Sequence, residues 1–378
     1  MWSFKETKGK KGFSLTYTGI TSRTDDPPSW VPSTTVVDPY NYYSHKLTLA
    51  LPLYTGGQLE NAIEAQKRGT QVADWSLETT KQQIKLEASV AFYQVLEAKD
   101  FLKIARESVE ALTIHLNNTQ KEFDAGVVAK ADVLRSKVQL ANAQNNLIKV
   151  ENGYEMALLQ LNHVMGQPLR NEVVLNAELK SDPYPLSMDG CIEYALKNRL
   201  ELKQAHTMVD ISQDKVNIAK GEKLPSVSLM GMNVWDDTNN SGTNSKNWTV
   251  ALMSQWNVFD SGVTDSKVAG ATQEKVAAKE QARDTEDKIV LQVSQAYLSL
   301  NEAKKRIDTC KVAVEEAETD FDMAQKRYFS GVGINLDVID AEVALNTAKT
   351  NYVKALYDYN VSRANLDKAI GIEARPSK

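Results

Sequence analysis

"FDAGVVAKADVLRS" (Phe123 to Ser136) sits between two segments whose apolar residues recur at helical spacing. A counterpart, "YFSGVGINLDVIDA" (Tyr328 to Ala341), follows 205 residues later with Gly, Val, Asp and Val in register. Glycine adopts positive φ without a Cβ clash, so a Gly just past a long periodic run stops a helix. Each copy therefore reads as the tip of a helical hairpin. Gly126, Val127 and Val128 form one tip, and Gly331, Val332 and Gly333 the other.

The repeat extends well beyond the tips. Residues 47–166 align with 252–371 at the same offset without a gap. "LYTGG" (53–57) falls on "VFDSG" (258–262), and Leu161 and Gly166 fall on Leu366 and Gly371. A gap-free match this long forbids drift in helix length, so two rods of equal length are expected. Ile84, Ala88, Ala91, Val95, Ala98, Leu102, Ala105, Val109, Leu112 and Leu116 follow a 4-3 spacing, and Ile289 to Phe321 repeat it. This is a coiled-coil seam, and its many alanines allow close neighbours. The outgoing helix, from Leu59 to Asp124, would be about 100 Å long at 1.5 Å per residue. A rod or tube is expected rather than a compact domain.

Ahead of each long helix lies a strand pattern. "HKLTLALPLY" places Leu47, Leu49, Leu51 and Leu53 on one face, and "NWTVALMSQWNVF" does the same with Trp248, Val250, Leu252, Ser254, Trp256 and Val258. Trp248, Trp256 and Tyr43 stand where the aromatic girdles of an outer-membrane barrel would be. "FSLTYTGIT" (13–21) and "SVSLMGMNVW" (226–235) are the partner strands, reached across a Pro-rich loop (24–43) and a polar loop (236–247). One hairpin per half is too little for a closed sheet, so several chains would have to pool their strands.

The expected organisation follows. A first repeat spans 1–166, with a strand hairpin at about 13–54 and a helical hairpin at about 59–165. A connector spans 167–188. A second repeat spans 189–378, with a helix at about 189–220, a strand hairpin at about 226–259 and a helical hairpin at about 263–370. Only the tail of a matching first-half helix is present: "KGKKGFSL" (8–15) echoes "KGEKLPSVSL" (220–229). The natural chain is expected to start earlier, with one more helix and a leader, since "MWSFKETKGKKG" is not a signal peptide.

Bulk properties narrow the function. The 378 residues carry a net charge of −5 with no Lys/Arg-rich patch, which argues against nucleic acid. No apolar run reaches the roughly 20 residues of a membrane-spanning helix. Cys191 and Cys310 are far apart and give neither a disulfide framework nor a metal spacing. The four histidines (His45, His115, His163, His206) are scattered, with no nucleophile elbow or phosphate loop. An enzyme is not expected, nor is a cofactor. His115 and His163 are read as solvated or packed.

Several motifs together resemble the TolC-like outer membrane efflux protein family: "PLYTGG" (52–57) and "VFDSG" at the strand-to-helix junctions, "ALKNRLELKQA…VNIAKGEKLPSVSL" (195–229), and the two tips. The resemblance covers nearly the whole chain. It implies a mainly α fold with a transmembrane β-hairpin pair. Long coiled-coil hairpins would form a trimeric α-barrel tunnel, joined to a shared 12-stranded outer-membrane β-barrel. The connector and the C-terminal end would lie in a belt around the tunnel. It also implies a homotrimer in the outer membrane of a diderm bacterium, in contact with lipid and with its tunnel in the periplasm. Such a duct passively conducts drugs, small molecules or secreted proteins. It docks on a periplasmic adaptor and an inner-membrane efflux pump or ABC exporter. The rival readings are a periplasmic adaptor and a coiled-coil scaffold.

At the tips, Asp132 and Asp337 lie in first helical turns, where a carboxylate suits the helix dipole, and Asn335 is read as a cap. Asp340 follows Asp337 on the same face. Three chains would stack these carboxylates as rings able to select or hold a cation. The resemblance assigns Asp337 and Asp340 to the constriction, and Tyr328 with Asp132 to a latch. An Arg of the family's latch falls on Gly333, a departure that weakens or moves the latch. Arg135 holds in the first copy the place of Asp340 in the second, where it would pair with an aspartate ring.

Overall fold

The computed structural model describes residues 2–24, 39–237 and 245–372. The loops 25–38 and 238–244 and the C-terminal residues 373–378, which the sequence reading assigned to loops and belt, lie outside them. In chain order the elements are α1 (Trp2–Gly9), β1 (Ser14–Thr24), β2 (Tyr40–Tyr54), α2 (Gln58–Asp124), α3 (Lys130–Val164), α4 (Met188–Asn198), α5 (Leu200–Gly221), β3 (Ser226–Asp237), β4 (Ser245–Gln255), α6 (Val263–Phe329) and α7 (Asn335–Ala369). The chain divides into two compact units, Met1–Ser76 with Glu201–Thr285 and Leu77–Leu200 with Glu286–Lys378. Each unit takes residues from both halves of the duplication.

The gap-free repeat sets the helix lengths. Helices α2 and α6 have 67 residues each, and α3 and α7 have 35 each. Backbone turns repeat as well. Positive φ occurs at Gly57 and Gly262, Gly126 and Gly331, and Gly166 and Gly371, each pair one repeat apart. Gly56 (φ 62°) is matched by Ser261, at φ 55°.

In the first unit the sheet order is β1-β2-β3-β4, antiparallel throughout. Register decides its chemistry, because directly opposed residues share a face. Leu15 pairs with Leu49, Tyr17 with Leu47, Leu51 with Leu229, Leu229 with Leu252, and Gly231 with both Leu49 and Val250. The apolar stripes of all four strands thus fall on one face. The other face carries Thr16, Thr18, Lys46, Thr48, Ser228 and Thr249. Exposure on the apolar face is high: 60% at Leu15, 78% at Trp248, 64% at Val250 and 68% at Leu252.

Strand β4 stops at Gln255, short of the expected residue 259, because its last partner is Ser226 and the preceding Pro225 has no N–H to extend the ladder. Trp256 and Val258 therefore lie past the strand. The Trp256 indole N–H donates to the Lys223 carbonyl at 3.0 Å.

The strand-to-helix junctions are built alike. Thr55 Oγ1 accepts from the Leu59 N–H at 3.2 Å. At the equivalent place in the second copy, the Asp260 carboxylate accepts from the Thr264 N–H at 2.8 Å and the Gly262 N–H at 3.1 Å. These bonds satisfy the orphan donors of the first turn. A Cβ at Gly56 would come within 2.4 Å of the Gly221 carbonyl oxygen. The "YTGG" junction therefore packs its backbone directly against the end of α5. Also in this unit, Arg68 pairs with the buried Asp214, joining α2 to α5.

The second unit holds most of the fully buried side chains. Val95 and Leu161 are buried with Ala91 and Ala157 between α2 and α3. The seam starts later than expected: Ile84 is exposed and Gln82 takes the buried place, facing the charged end of α7. Near the tip the seam steps from Leu112 to His115 and Thr119, not to Leu116. The connector is irregular but anchored. Leu179 packs on Leu96 and Val353, and Asn360 Nδ2 donates to the Lys180 carbonyl at 2.9 Å. The single helix expected at 189–220 is two helices. Arg199 is extended (ψ 128°), and its buried guanidinium donates to Gln292 Oε1 at 2.8 Å and to the Ala369 carbonyl at 3.2 Å. Those bonds hold the break.

Candidate functional site

Both tips close with the same hydrogen bonds. The Val127 N–H donates to the Glu122 carbonyl at 2.8 Å and the Gly126 N–H to Phe123 at 2.9 Å; in the second copy Val332 donates to Arg327 at 3.1 Å and Gly331 to Tyr328 at 2.9 Å. This paired bonding satisfies the last helical carbonyls, and it requires a left-handed residue where each glycine stands. Val127 and Val332 remain exposed, and Val128 is half-buried. A Cβ on Gly333 would lie 2.9 Å from Tyr328 N and 3.0 Å from the Arg327 carbonyl carbon. The second tip folds back on its own helix end, so no side chain fits where the family's latch arginine would stand.

Behind the tips is a buried polar cluster drawn from four helices. On α2, His115, Thr119 and Glu122 share one face at i, i+4 and i+7. Helix α3 adds Asp132 and Ser136, α6 adds Tyr328, and α7 adds Asn335. His115 Nε2 lies 2.6 Å from Asn335 Oδ1, which also accepts from Ser136 Oγ at 3.2 Å. Asn335 Nδ2 donates to the Asp132 carbonyl at 3.2 Å. This pattern assigns His115 the Nε2–H tautomer. The Tyr328 hydroxyl donates to Thr119 Oγ1 at 3.3 Å, and its ring lies 5.2 Å from that of His115. Beneath it, Ala324, Val338 and Ala341 close the core.

Burial governs the charge states. It pushes the His115 imidazole below its ordinary value, partly offset by Asn335 and Glu122. The Tyr328 hydroxyl is pushed up to about 12, by burial first and then by the nearby Glu122 carboxylate. About two turns further along α7, Glu342 is buried against α2. It accepts from Ser108 and Asn346, and burial raises its carboxyl.

At the tips, sequence and structure part company at Asn335. Asn335 is not the cap; Ile334 holds that position without a side-chain bond, and Asn335 instead crosses to the first hairpin. The α3 cap, Ala129, also lacks a side-chain bond, leaving Asp132 and Asp337 as the acidic groups of the two first turns. Tyr328 bonds Thr119, and Asp132 enters the cluster through its backbone. Asp337 and Asp340 are exposed on the first turns of α7, and Arg135 is exposed on α3. Arg135 lines a shallow groove of about 360 Å³ with Leu134, Val138, Leu336 and Ile339. Among the described residues no group of three His, Cys, Asp or Glu could hold a metal ion, and no helix is long and apolar enough to cross a membrane. Tyr43 lies on β2 opposite Thr21 and Asp237, and Trp248 on β4 opposite Asn233. His115, Thr119 and Ser136 were missed. Their one signal is a polar i, i+4 pair continuing an apolar stripe from Leu112.

Known proteins share this architecture. The family model described as "Outer membrane efflux protein" matches residues 14–167 and 191–372. The outer membrane protein TolC of Escherichia coli (strain K12) is 25% identical over 82% of this chain, and TolC of Salmonella enteritidis is 26% identical over 82%. The chain spans 66% and 65% of the lengths of those two relatives. The solved outer-membrane channel OprN superposes with a TM-score of 0.83 at 20% identity, covering 99% of this chain and 84% of that one. The overall fold is thus a known one, and the chain belongs to the outer membrane efflux protein family, that of TolC.

Proposed function

We propose that three copies of this chain assemble into an outer-membrane exit duct. Each copy contributes its four strands to one closed barrel and its helical hairpins to a periplasmic tunnel. The observation that carries this reading is the sheet. It has open edges at β1 and β4 and one face of exposed Leu, Val and Trp. Such a sheet is stable in lipid only when its edges are paired by other strands. Trp248, Trp256 and Tyr43 are placed at the lipid interfaces. The connector and the end of α7 form the belt, and transport itself is passive.

In this reading the tips are the gate and the surface that meets a periplasmic adaptor and its pump. Asp337 and Asp340, exposed on one face of α7, form carboxylate rings in the trimer and bind a divalent cation there. Arg135 pairs with a ring from the first-copy position. The buried cluster of Tyr328, Thr119, His115 and Asn335 joins the two hairpins of each chain, so that the second-half hairpin swings outward only when the cluster breaks. Single-channel conductance in planar bilayers tests the rings. Asp337→Ala with Asp340→Ala is expected to reduce cation selectivity and to abolish block by multivalent cations. Unchanged conductance, selectivity and block would refute the ring assignment.

A further inference from the structure

The second unit contains a cleft away from the hairpin tips. It lies between the Gln82 region of α2 and the last turns of α7, with room for about 230 Å³. Lys85, Arg363 and Lys368 line it, and the one carboxylate among its lining residues, Asp367, accepts a hydrogen bond from the Tyr184 hydroxyl at 2.8 Å. Arg363 is half-buried and acts electrostatically on the Asp367 carboxylate, without a close ion pair or hydrogen bond to it. Gln82, on the facing wall, is 8% exposed, and its amide has no hydrogen-bond partner among the described residues. A buried amide without a hydrogen-bond partner among the described residues and a half-buried guanidinium thus line one cavity, with donors open to whatever enters it. The cleft also carries more positive than negative charge. Low-dielectric walls strengthen that field, and a guanidinium fork matches planar or tetrahedral oxyanions with two bonds.

We propose that this cleft is a binding site for a small phosphate-class oxyanion, held by Arg363 and Lys368 and hydrogen-bonded by the amide N–H of Gln82. Lys85 adds charge at the rim. Burial raises the Asp367 carboxyl, opposed first by the Tyr184 hydrogen bond and then by the charges of Arg363 and Lys85. Tyr184 occupies one of its oxygens. Asp367 therefore forms one wall of the site, beside Arg363. An occupied cleft would fasten the end of α7 to α2. This inference rests on the second unit alone and does not depend on the duct reading.

The test is a titration of the detergent-solubilised full chain with sodium phosphate at fixed ionic strength, read by calorimetry and by the thermal midpoint. Sodium chloride serves as the matched salt. A saturable rise in the midpoint with phosphate and none with chloride is expected. Arg363→Gln should weaken phosphate binding by at least about tenfold, as loss of a charged, two-bond partner requires. Gln82→Glu places a carboxylate beside Arg363; it should abolish phosphate binding and raise the midpoint without phosphate. Lys304→Gln, an exposed cation outside the cleft, should bind as the parent does. A non-saturable response, or equal responses from Gln82→Glu and Lys304→Gln, would overturn the proposal. Gln82→Glu decides the matter even if Arg363→Gln fails to fold. Loss of conductance with intact phosphate binding, or the reverse, separates this site from the gate.

Discussion

Replacing Asn335 with Leu perturbs the tip cluster at its centre. The substitution is close in size and keeps the position apolar, but it removes three hydrogen bonds: to His115 at 2.6 Å, to Ser136 at 3.2 Å and to the Asp132 carbonyl at 3.2 Å. Asn335 is 3% exposed and His115 is 3% exposed, so water does not replace them. At about 1 kcal/mol net for each bond, the tip should lose about 3 kcal/mol. That corresponds to roughly a hundred-fold faster amide exchange across residues 328–337 when opening limits exchange. His115→Phe in the same chain removes one stranded donor and should restore part of the protection. The pH dependence has a definite sign. The His115 imidazole is held below its ordinary value by burial, so the opened tip takes up a proton that the closed tip refuses. Closure is therefore fully favoured above about pH 6.5 and weakens as pH falls below it, by at most about 1.4 kcal/mol per pH unit. His115→Phe should remove that slope, after correction for intrinsic exchange. Less than a threefold change in Asn335→Leu, or an unaltered slope in His115→Phe, would refute the reasoning.

Two other expectations come from different parts of the second unit. Burial, and then the neighbouring Asp358, pushes the Glu97 carboxyl up to about 7. The folded chain thus holds a proton that the unfolded chain releases, and stability is lost as pH rises from about 4.5 through 7. Glu97→Gln should stabilise by about 2 kcal/mol at pH 8.5 and by almost nothing at pH 4.5; a larger gain at the acid end in thermal unfolding would contradict this. Gly333→Ala should loosen the second tip by about 1–3 kcal/mol, because its Cβ meets backbone at 2.9 Å. Val128→Gly at the same place in the first copy should cost less than 1 kcal/mol, since no backbone contact there depends on the side chain. Limited proteolysis at the two tips compares them, and equal sensitivity would count against the difference.

Much of the fold is legible in the sequence because a duplication carries its own ruler. The constant offset ties Gln58 to Val263 and Asp124 to Phe329, and the observed helices end at those residues. Period-two alternation put Leu47, Leu49 and Leu51 on one face, and the register joins them to Leu15, Leu229 and Leu252. What the sequence hides is contact between distant residues. Asn335 looks like a cap because it opens a helix; only its partners, some 200 residues away, show that it crosses to the first hairpin. Arg199 interrupts a run with no glycine or proline beside it, because the bonds that hold it extended come from α6 and α7. Trp256 continues the strand alternation, yet the ladder ends for want of a partner. The paired glycine turns repeat, but Gly333 departs from Val128 because the second tip folds more closely onto its own helix end.

Covalent capture across the sheet edges tests the trimeric duct most directly. Within one chain β1 and β4 are separated by two strands, or about 14 Å at 4.8 Å per strand, beyond the roughly 7 Å limit for a disulfide. Cysteine pairs placed at Thr16 or Thr18 of β1 and at Thr249 or Ala251 of β4, with Cys191 and Cys310 changed to Ala, can therefore join only different chains. Oxidation in outer membranes is predicted to give covalent species of one, two and three chains and none larger, with the three-chain product retaining conductance. Products confined to one chain, or a ladder running past three, would contradict the account.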